Sequence, residues 1–458
     1  MGIFGALNTA VGGMRAQSYA LENISGNIAN SQTIGFKRED TNFVDLIPDD
    51  LPTKQIAGGV IASSRPTNGV QGDVQNASVG TYMAINGAGF FVVEKPSSFT
   101  DNRPVFDGVD LYTRRGDFSL NKDGYLVNGA GYYLMGIPID PATGNPVGSV
   151  PQLLQFKNGF LPAEATTRID YQVNLPSYPL TNNHDTTVPG SELLDPTPPI
   201  YSVDPTVAGT GTVVGNDVQQ FLNDSVSGGA ITAFDALGAP ANVQLRWAKI
   251  DSSSTGGTDT WNLFYQADST ATGTNVAWQN VGVDFKFDAS GKMSPAVPSV
   301  TVAGMTIDGV ALGSVTIAMG ANGVTQFSDP DGTAKSSMQQ NGFPAGTLQT
   351  ISVNDKGRIV GTYSNNRTID LAAISLANFN AVNGLKRMDG GAFAATDDSG
   401  PADLTATGKI VGGSVEGSNA DIADEFTKLI VTQQAYSANT RVITTSNQMV
   451  QDLLNMLR

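Results

Sequence analysis

At 458 residues the chain is long enough for two to four domains, and 40% hydrophobic with 15% charged residues excludes both a disordered chain and a coiled coil throughout. A net charge of −16, with 26 basic residues among 42 acidic ones, argues against nucleic acid, and no polybasic segment or 18-residue apolar run suits a membrane. With no cysteine there are no disulfides, thiolate metal sites or Cys nucleophiles.

The first predicted element is a helix over residues 3–28. Ile3, Leu7, Ala10, Met14, Gln17, Leu21, Ile24 and Ile28 alternate in steps of four and three. That spacing draws one narrow apolar stripe, the pattern of a coiled-coil seam. Such a helix would be about 39 Å long. The opening residues lack the basic and long apolar regions of a cleaved signal peptide, so any export is expected to use another route. Asn and Ser in Asn27-Ile28-Ala29-Asn30-Ser31 then stop the helix, and Gly35 permits a sharp reversal.

Beyond it the period changes to two. Turn clusters at Asn121-Lys122-Asp123-Gly124, Ala289-Ser290-Gly291 and Asn354-Asp355-Lys356-Gly357 sit between short β-prone runs and read as hairpins. Residues 176–230, rich in Pro, Thr, Asn and Asp, are expected to form long surface loops. Val243, Leu245 and Trp247, then Trp261, Leu263 and Tyr265, alternate as strands with one buried face. Residues 166–345 carry 16 acidic and 6 basic residues, hence −10 of the net −16, which suits an outer surface.

The last predicted element repeats the first. Ile422, Phe426, Leu429, Gln433, Tyr436, Thr440, Ile443, Asn447, Val450, Leu454 and Leu457 form a second stripe on a helix of about 55 Å, and Ser418 with Asp421 resembles a capping box. Two such rods have too little domain of their own to cover both sides. They are expected to need other copies, to be largely disordered in the free monomer and to order on assembly.

Several motifs carry no chemistry. Arg115-Gly116-Asp117 spells an adhesion tripeptide but opens a strand-like run. Asp329-Pro330-Asp331-Gly332 is too short for an EF-hand and lacks its glutamate, so a turn is expected. His184, the one histidine, stands in a polar loop without ligand partners. No catalytic residue, cofactor or metal site is expected.

Five segments carry a family resemblance. Asn27-Ile28-Ala29-Asn30-Ser31-Gln32-Thr33-Ile34-Gly35-Phe36-Lys37 resembles the signature that follows the first helix in flagellar axial proteins, the rod and hook family, with Asn27, Asn30, Thr33, Gly35, Phe36 and Lys37 as its motif residues. Gly413-Ser414-Val415-Glu416-Gly417-Ser418-Asn419 matches the family's C-terminal pattern. Ile85-Asn86-Gly87 and Tyr112-Thr113-Arg114-Arg115-Gly116-Asp117-Phe118 are similar to segments shared by hook and rod proteins, and Gly361-Thr362-Tyr363-Ser364-Asn365 to the hook branch. Asn366 departs from the pattern, standing where hook proteins often have Gly.

The resemblance implies mostly β outer domains inserted between N- and C-terminal α-helices that form a coiled-coil-like inner domain. The expected segments are 1–30 with 418–458 (helical polymerisation), 31–72 with 385–417 (connecting), 73–165 with 346–384 (inner β) and 166–345 (outer β insertion). The resemblance also implies a homopolymer exported through a type III apparatus and contacting flagellar rod, hook-cap and hook-filament junction proteins. The polymerisation seam would be Leu7, Met14, Leu21, Ile24, Ile28, Ile422, Phe426, Leu429, Tyr436, Ile443, Val450, Leu454 and Leu457. A distal-rod-type axial protein is the nearest alternative, and a secreted β-rich adhesin a more distant one.

Overall fold

The structure is a computed structural model that describes residues 3–46, 59–101, 103–141, 143–157, 159–207, 210–405 and 408–456. The chain forms two compact units, Met1–Gly159 with Leu348–Arg458, and Phe160–Thr347. Strands dominate, with one long helix near each end of the chain, Ile3–Ala29 and Ile422–Met456.

In the first unit the N-terminal helix lies on the hairpin of Glu39–Asp45 and Val60–Pro66, whose strands pair antiparallel in unbroken register. Asn23 donates to Thr41 and Tyr19 bonds Ser64, which fixes the helix along the ribbon. Beyond the hairpin, Thr368–Ile374, Tyr133–Pro138, Phe90–Glu94, Leu111–Thr113 and Ala392–Ala394 stand side by side in an antiparallel sheet. Phe90–Glu94 is buried at every position, so its run of apolar residues serves cores on both faces. Two further ladders tie early to late sequence. Met83–Asn86 pairs with Lys409–Gly412, and Val74–Asn76 with Ser414–Glu416.

The second unit stacks two sheets over one core. Ser299–Ile307, Val310–Ala318, Arg168–Leu175 and Val324–Gln326 form one path; Thr212–Val214, Val276–Lys286, Thr260–Gln266, Pro240–Asp251 and Val226–Phe234 form the other. Trp247 pairs opposite Leu263, and Tyr171, Trp247, Trp261 and Phe285 fill the space between. The alternation at Val243, Leu245 and Trp247 is therefore a buried strand face, as the sequence predicts. All three turn clusters close hairpins, with Gly124, Gly291 and Gly357 at positive φ.

Residues 176–230 correct their expectation. They are more than surface loops, because Leu194, Tyr201, Val213 and Phe221 bury themselves with Ala248, Phe264 and Trp278 in a small core of their own. The polar composition hid it: four large apolar residues spread over this stretch leave no periodic signal.

Candidate assembly surface and the buried motif junction

The two long helices run antiparallel against each other within one chain. Asn27 donates to Glu425 at 3.1 Å, Gly13 lies against the Asn439 side chain, and Thr440 reaches Met14. The same register sets Ala20 opposite Thr432, and both are buried. The seam thus joins Gly13 to Asn439 and Asn27 to Glu425, positions fourteen residues apart on each helix. Small and polar side chains make it, and hydropathy carries no trace of them. Gly13 shows why they are needed: a Cβ there would sit 2.9 Å from the Asn439 amide nitrogen.

The apolar stripes take other places. On the first helix Ala10 and Ile24 are buried and Leu7, Met14, Leu21 and Ile28 half-buried. On the second, Leu429, Ile443 and Val450 are half-buried, while Ile422, Phe426, Tyr436 and Leu454 are exposed. Leu457 lies outside the described residues. Ile430, Val431, Val442, Met449 and Leu453, which the stripe does not include, are exposed as well. The second helix therefore leaves many of its apolar side chains uncovered, with Phe426 at 49% and Leu454 at 59% of full exposure. Its start also differs from expectation. Asp421, rather than Ser418, accepts the backbone N–H groups of Ala423 and Asp424, and Ser418 bonds only the N–H of Ala420.

At the foot of the helices four separated motifs meet. The Lys37 ammonium contacts Glu416 at 2.5 Å and the Val70 carbonyl at 2.6 Å. Arg114 contacts the other Glu416 oxygen at 3.1 Å, donates to the Gly87 carbonyl at 2.7 Å and lies over the Phe90 ring. Gly72 donates its N–H to Glu416, and Gly35 donates to the Glu416 carbonyl. All three ionic side chains are at most 3% exposed. Burial is the main influence on both cations and lowers the Lys37 and Arg114 values below their usual ones, against the pull of Glu416. Gly35 has φ +67°, and a Cβ there would fall 2.7 Å from the Arg115 nitrogen, so this crossing of chains requires glycine.

The remaining motif residues hold the same neighbourhood. Asn27 brackets Glu39, donating to its carbonyl and accepting its N–H. Glu425 pairs with Lys428, which also contacts Asp40 on the hairpin. Asn30 donates to Gly26 and accepts from Thr33, closing the helix end. Phe36 lies under the Arg387 guanidinium. Asn419 accepts from Arg38 and donates to Thr67 and Val70.

The motifs set aside from the sequence have structural roles. Arg115 forks onto Asp117 with two 2.8 Å bonds, and Asp117 is buried. The residues 329–332 form a turn, with Asp329 accepting from Asp331 and Gly332. His184 is exposed and bonds the Thr181 carbonyl. Asn366 stands at φ +60°, a conformation that asparagine tolerates and that explains glycine in its place elsewhere.

Comparison with known proteins places these features. Residues 7–37 match the family described as flagella basal body rod protein, 84–178 the flagellar hook protein FlgE/F/G D1 domain, 223–343 the flagellar basal body protein FlaE D2 domain, and 411–456 the flagellar basal body rod FlgEFG protein C-terminal family. A flagellar hook protein FlgE of Brucella suis biovar 1 (strain 1330) is 29% identical over 466 residues, aligned across 100% of both chains. The flagellar hook protein FlgE of Escherichia coli (strain K12) is 27% identical, aligned over 98% of this chain and 100% of its own. A Helicobacter pylori flagellar hook protein FlgE2 structure shares 15% identity at a TM-score of 0.46, covering 73% of this chain and 98% of that one. With family matches at both helices and in both β units, and relatives aligned from end to end, the chain belongs to the flagellar hook protein family.

Proposed function

We propose that the chain is a structural subunit of the bacterial flagellar hook, polymerising into a flexible curved tube that carries motor torque from rod to filament. The observation that carries the reading is the number of large apolar side chains that the C-terminal helix leaves exposed, among them Phe426, Ile430, Val431, Val442 and Leu454. Exposed apolar side chains gathered on one long helix mark an interaction surface, and repeated copies of one chain can cover it by heterologous contacts that build a helical polymer. The helix pair would form the inner, coiled-coil-like layer, with 31–72 and 385–417 connecting it to an inner β segment (73–165 with 346–384) and an outer one (166–345). Glycines such as Gly59 in the connecting segment would let outer parts slide while the helices stay packed. Partners would be other copies, the rod, hook-cap and hook-filament junction proteins and the type III export apparatus, with the finished polymer outside the cell.

Electron micrographs of the purified full chain under polymerising conditions test this. Short curved tubes are expected. Straight rods would favour the distal-rod alternative, which shares the terminal motifs, and unpolymerised material would remove both readings.

A further inference from the structure

Arg246 of the second unit is held by neutral acceptors. Its strand, Pro240–Asp251, pairs antiparallel with Val226–Phe234, which sets Arg246 opposite Ser227, and the register shifts between Ser227 and Gly229. From there the guanidinium reaches back to the end of the short helix Val218–Asn223. Nε donates to the Ser225 hydroxyl at 2.8 Å, and Nη2 donates to the Ser225 carbonyl at 2.7 Å and the Leu222 carbonyl at 3.2 Å. These bonds fix the plane of the group and leave the N–H donors of Nη1 without an acceptor among the described residues. Burial lowers the Arg246 value from its usual one, and no carboxylate opposes that pull. Lys37, Arg114 and Lys249, the cations buried more deeply, each meet a carboxylate, at 2.5, 3.1 and 3.0 Å.

Arg246 lines a cavity of about 400 Å³ together with Thr181, Ser225, Ser227, Thr333 and Ser336, and no Asp or Glu is among the described residues that line it. That composition runs against its surroundings, since residues 166–345 carry 16 acidic and 6 basic residues. The Thr181 hydroxyl is buried and has no partner within the protein. A cation with unused donors in a wall of hydroxyls lacks one thing, an anion. The volume falls in the range of small-molecule sites, about 300–1,000 Å³.

We propose that this cavity binds a small phosphate ester, whose phosphoryl oxygens accept from Arg246 Nη1 and whose polar body occupies the rest of the space. A planar carboxylate is best met by two parallel N–H groups of a guanidinium fork. In Arg246 the donors of Nε and Nη2 are committed to Ser225 and Leu222, so no such fork is open. A tetrahedral group with several acceptor oxygens can instead gather donors that lie apart, here Nη1 and the hydroxyls of the lining. The site goes beyond the hook reading and stands or falls without it, because every residue in it belongs to the second unit.

The test is calorimetry of the full chain in Tris chloride at constant ionic strength, with glucose 6-phosphate, glucuronate and glucose as probes. Saturable binding of glucose 6-phosphate at one site is expected, with glucuronate weaker and glucose not bound. Ser336 is exposed, so Ser336→Asp should leave the melting temperature unchanged while it places a negative charge in the lining and weakens binding at least about tenfold. Arg246→Gln should weaken binding by a similar factor. It also gives up bonds to Leu222 and Ser225, so Ser336→Asp decides the matter if that variant does not fold. No saturable binding of glucose 6-phosphate by the wild type would overturn the inference, as would binding unchanged in a folded Ser336→Asp chain. Tighter binding of glucuronate, or equal binding of glucose, would overturn it too, since neither ligand carries a phosphate.

Discussion

Glu416 accepts from an ammonium, a guanidinium and a backbone N–H, all shielded from water. Glu416→Gln would leave two buried cations facing each other and should cost the first unit about 3–5 kcal/mol in denaturant titrations. Lys37→Met leaves Arg114 matched with Glu416 and should cost clearly less; an equal loss would show that the charges do not act as a balanced set. Gly35→Ala forces both a positive φ and a backbone overlap, so a loss of more than about 1 kcal/mol is expected from the same measurement. The residues of this junction were legible one by one, as pieces of family patterns. Their meeting was not, because Lys37 and Glu416 stand 379 residues apart and nothing in a single sequence couples them. A quieter electrostatic effect lies in turns such as Asp268–Thr270. There the Thr hydroxyl and N–H bind the Asp268 carboxylate and hold its pKa below the usual value. A depressed carboxyl stabilises the fold above its unfolded pKa, and that contribution is lost as pH falls through the folded value. Thr270→Val should therefore move acid unfolding, followed by tryptophan fluorescence, to slightly higher pH.

The C-terminal helix presents one face to its partner helix and another to solvent. Replacing Phe426 by Asp changes an exposed side chain, so monomer stability should stay within about 0.5 kcal/mol. Polymerisation should nevertheless fail, because the charge would enter a contact between copies. Sedimentation and thermal melts of the variant check both halves, and a variant that still forms tubes would move the contact elsewhere. Both long helices were legible from their periods of four and three. Which side of the second helix meets the first was not. Thr432, Asn439 and Ser446 look like solvent positions until Gly13 and Ala20 are seen opposite them. Apolar spacing reports burial only where burial is what makes the contact. Here closeness makes it, and many of the apolar residues remain exposed. The expectation of helices ordered only by assembly meets a structure in which they already pair within one chain. Limited proteolysis of the dilute monomer should therefore find the helix pair protected and the exposed apolar side unaltered in its accessibility.

At the scale of the whole chain, the second unit leaves and re-enters the first at a single point. Leu348 donates its N–H to the Gly159 carbonyl at 3.3 Å, so the two ends of the excursion are already neighbours. Joining Gly159 to Leu348 should yield a folded first unit that still polymerises, with altered curvature or stiffness visible in micrographs. Monomers alone would place essential contacts in the excised part. The strand-rich character of this part was legible from alternation and turn chemistry, since each hairpin is a local event. The small core built by Leu194, Tyr201, Val213 and Phe221 was not, because its members are scattered among loop residues.

The junction of Lys37, Arg114 and Glu416 also sets a timetable. A ribosome delivers Lys37 and Arg114 early, while Glu416 comes 302 residues after Arg114 and only just before the final helix. Until then the two cations lack their shared anion, and the ladders that end at Lys409–Gly412 and Ser414–Glu416 lack their second strands. Closing so wide a loop is entropically late by nature. The first unit consequently stays open until Glu416 has been made, and a nascent chain remains pliable up to that point.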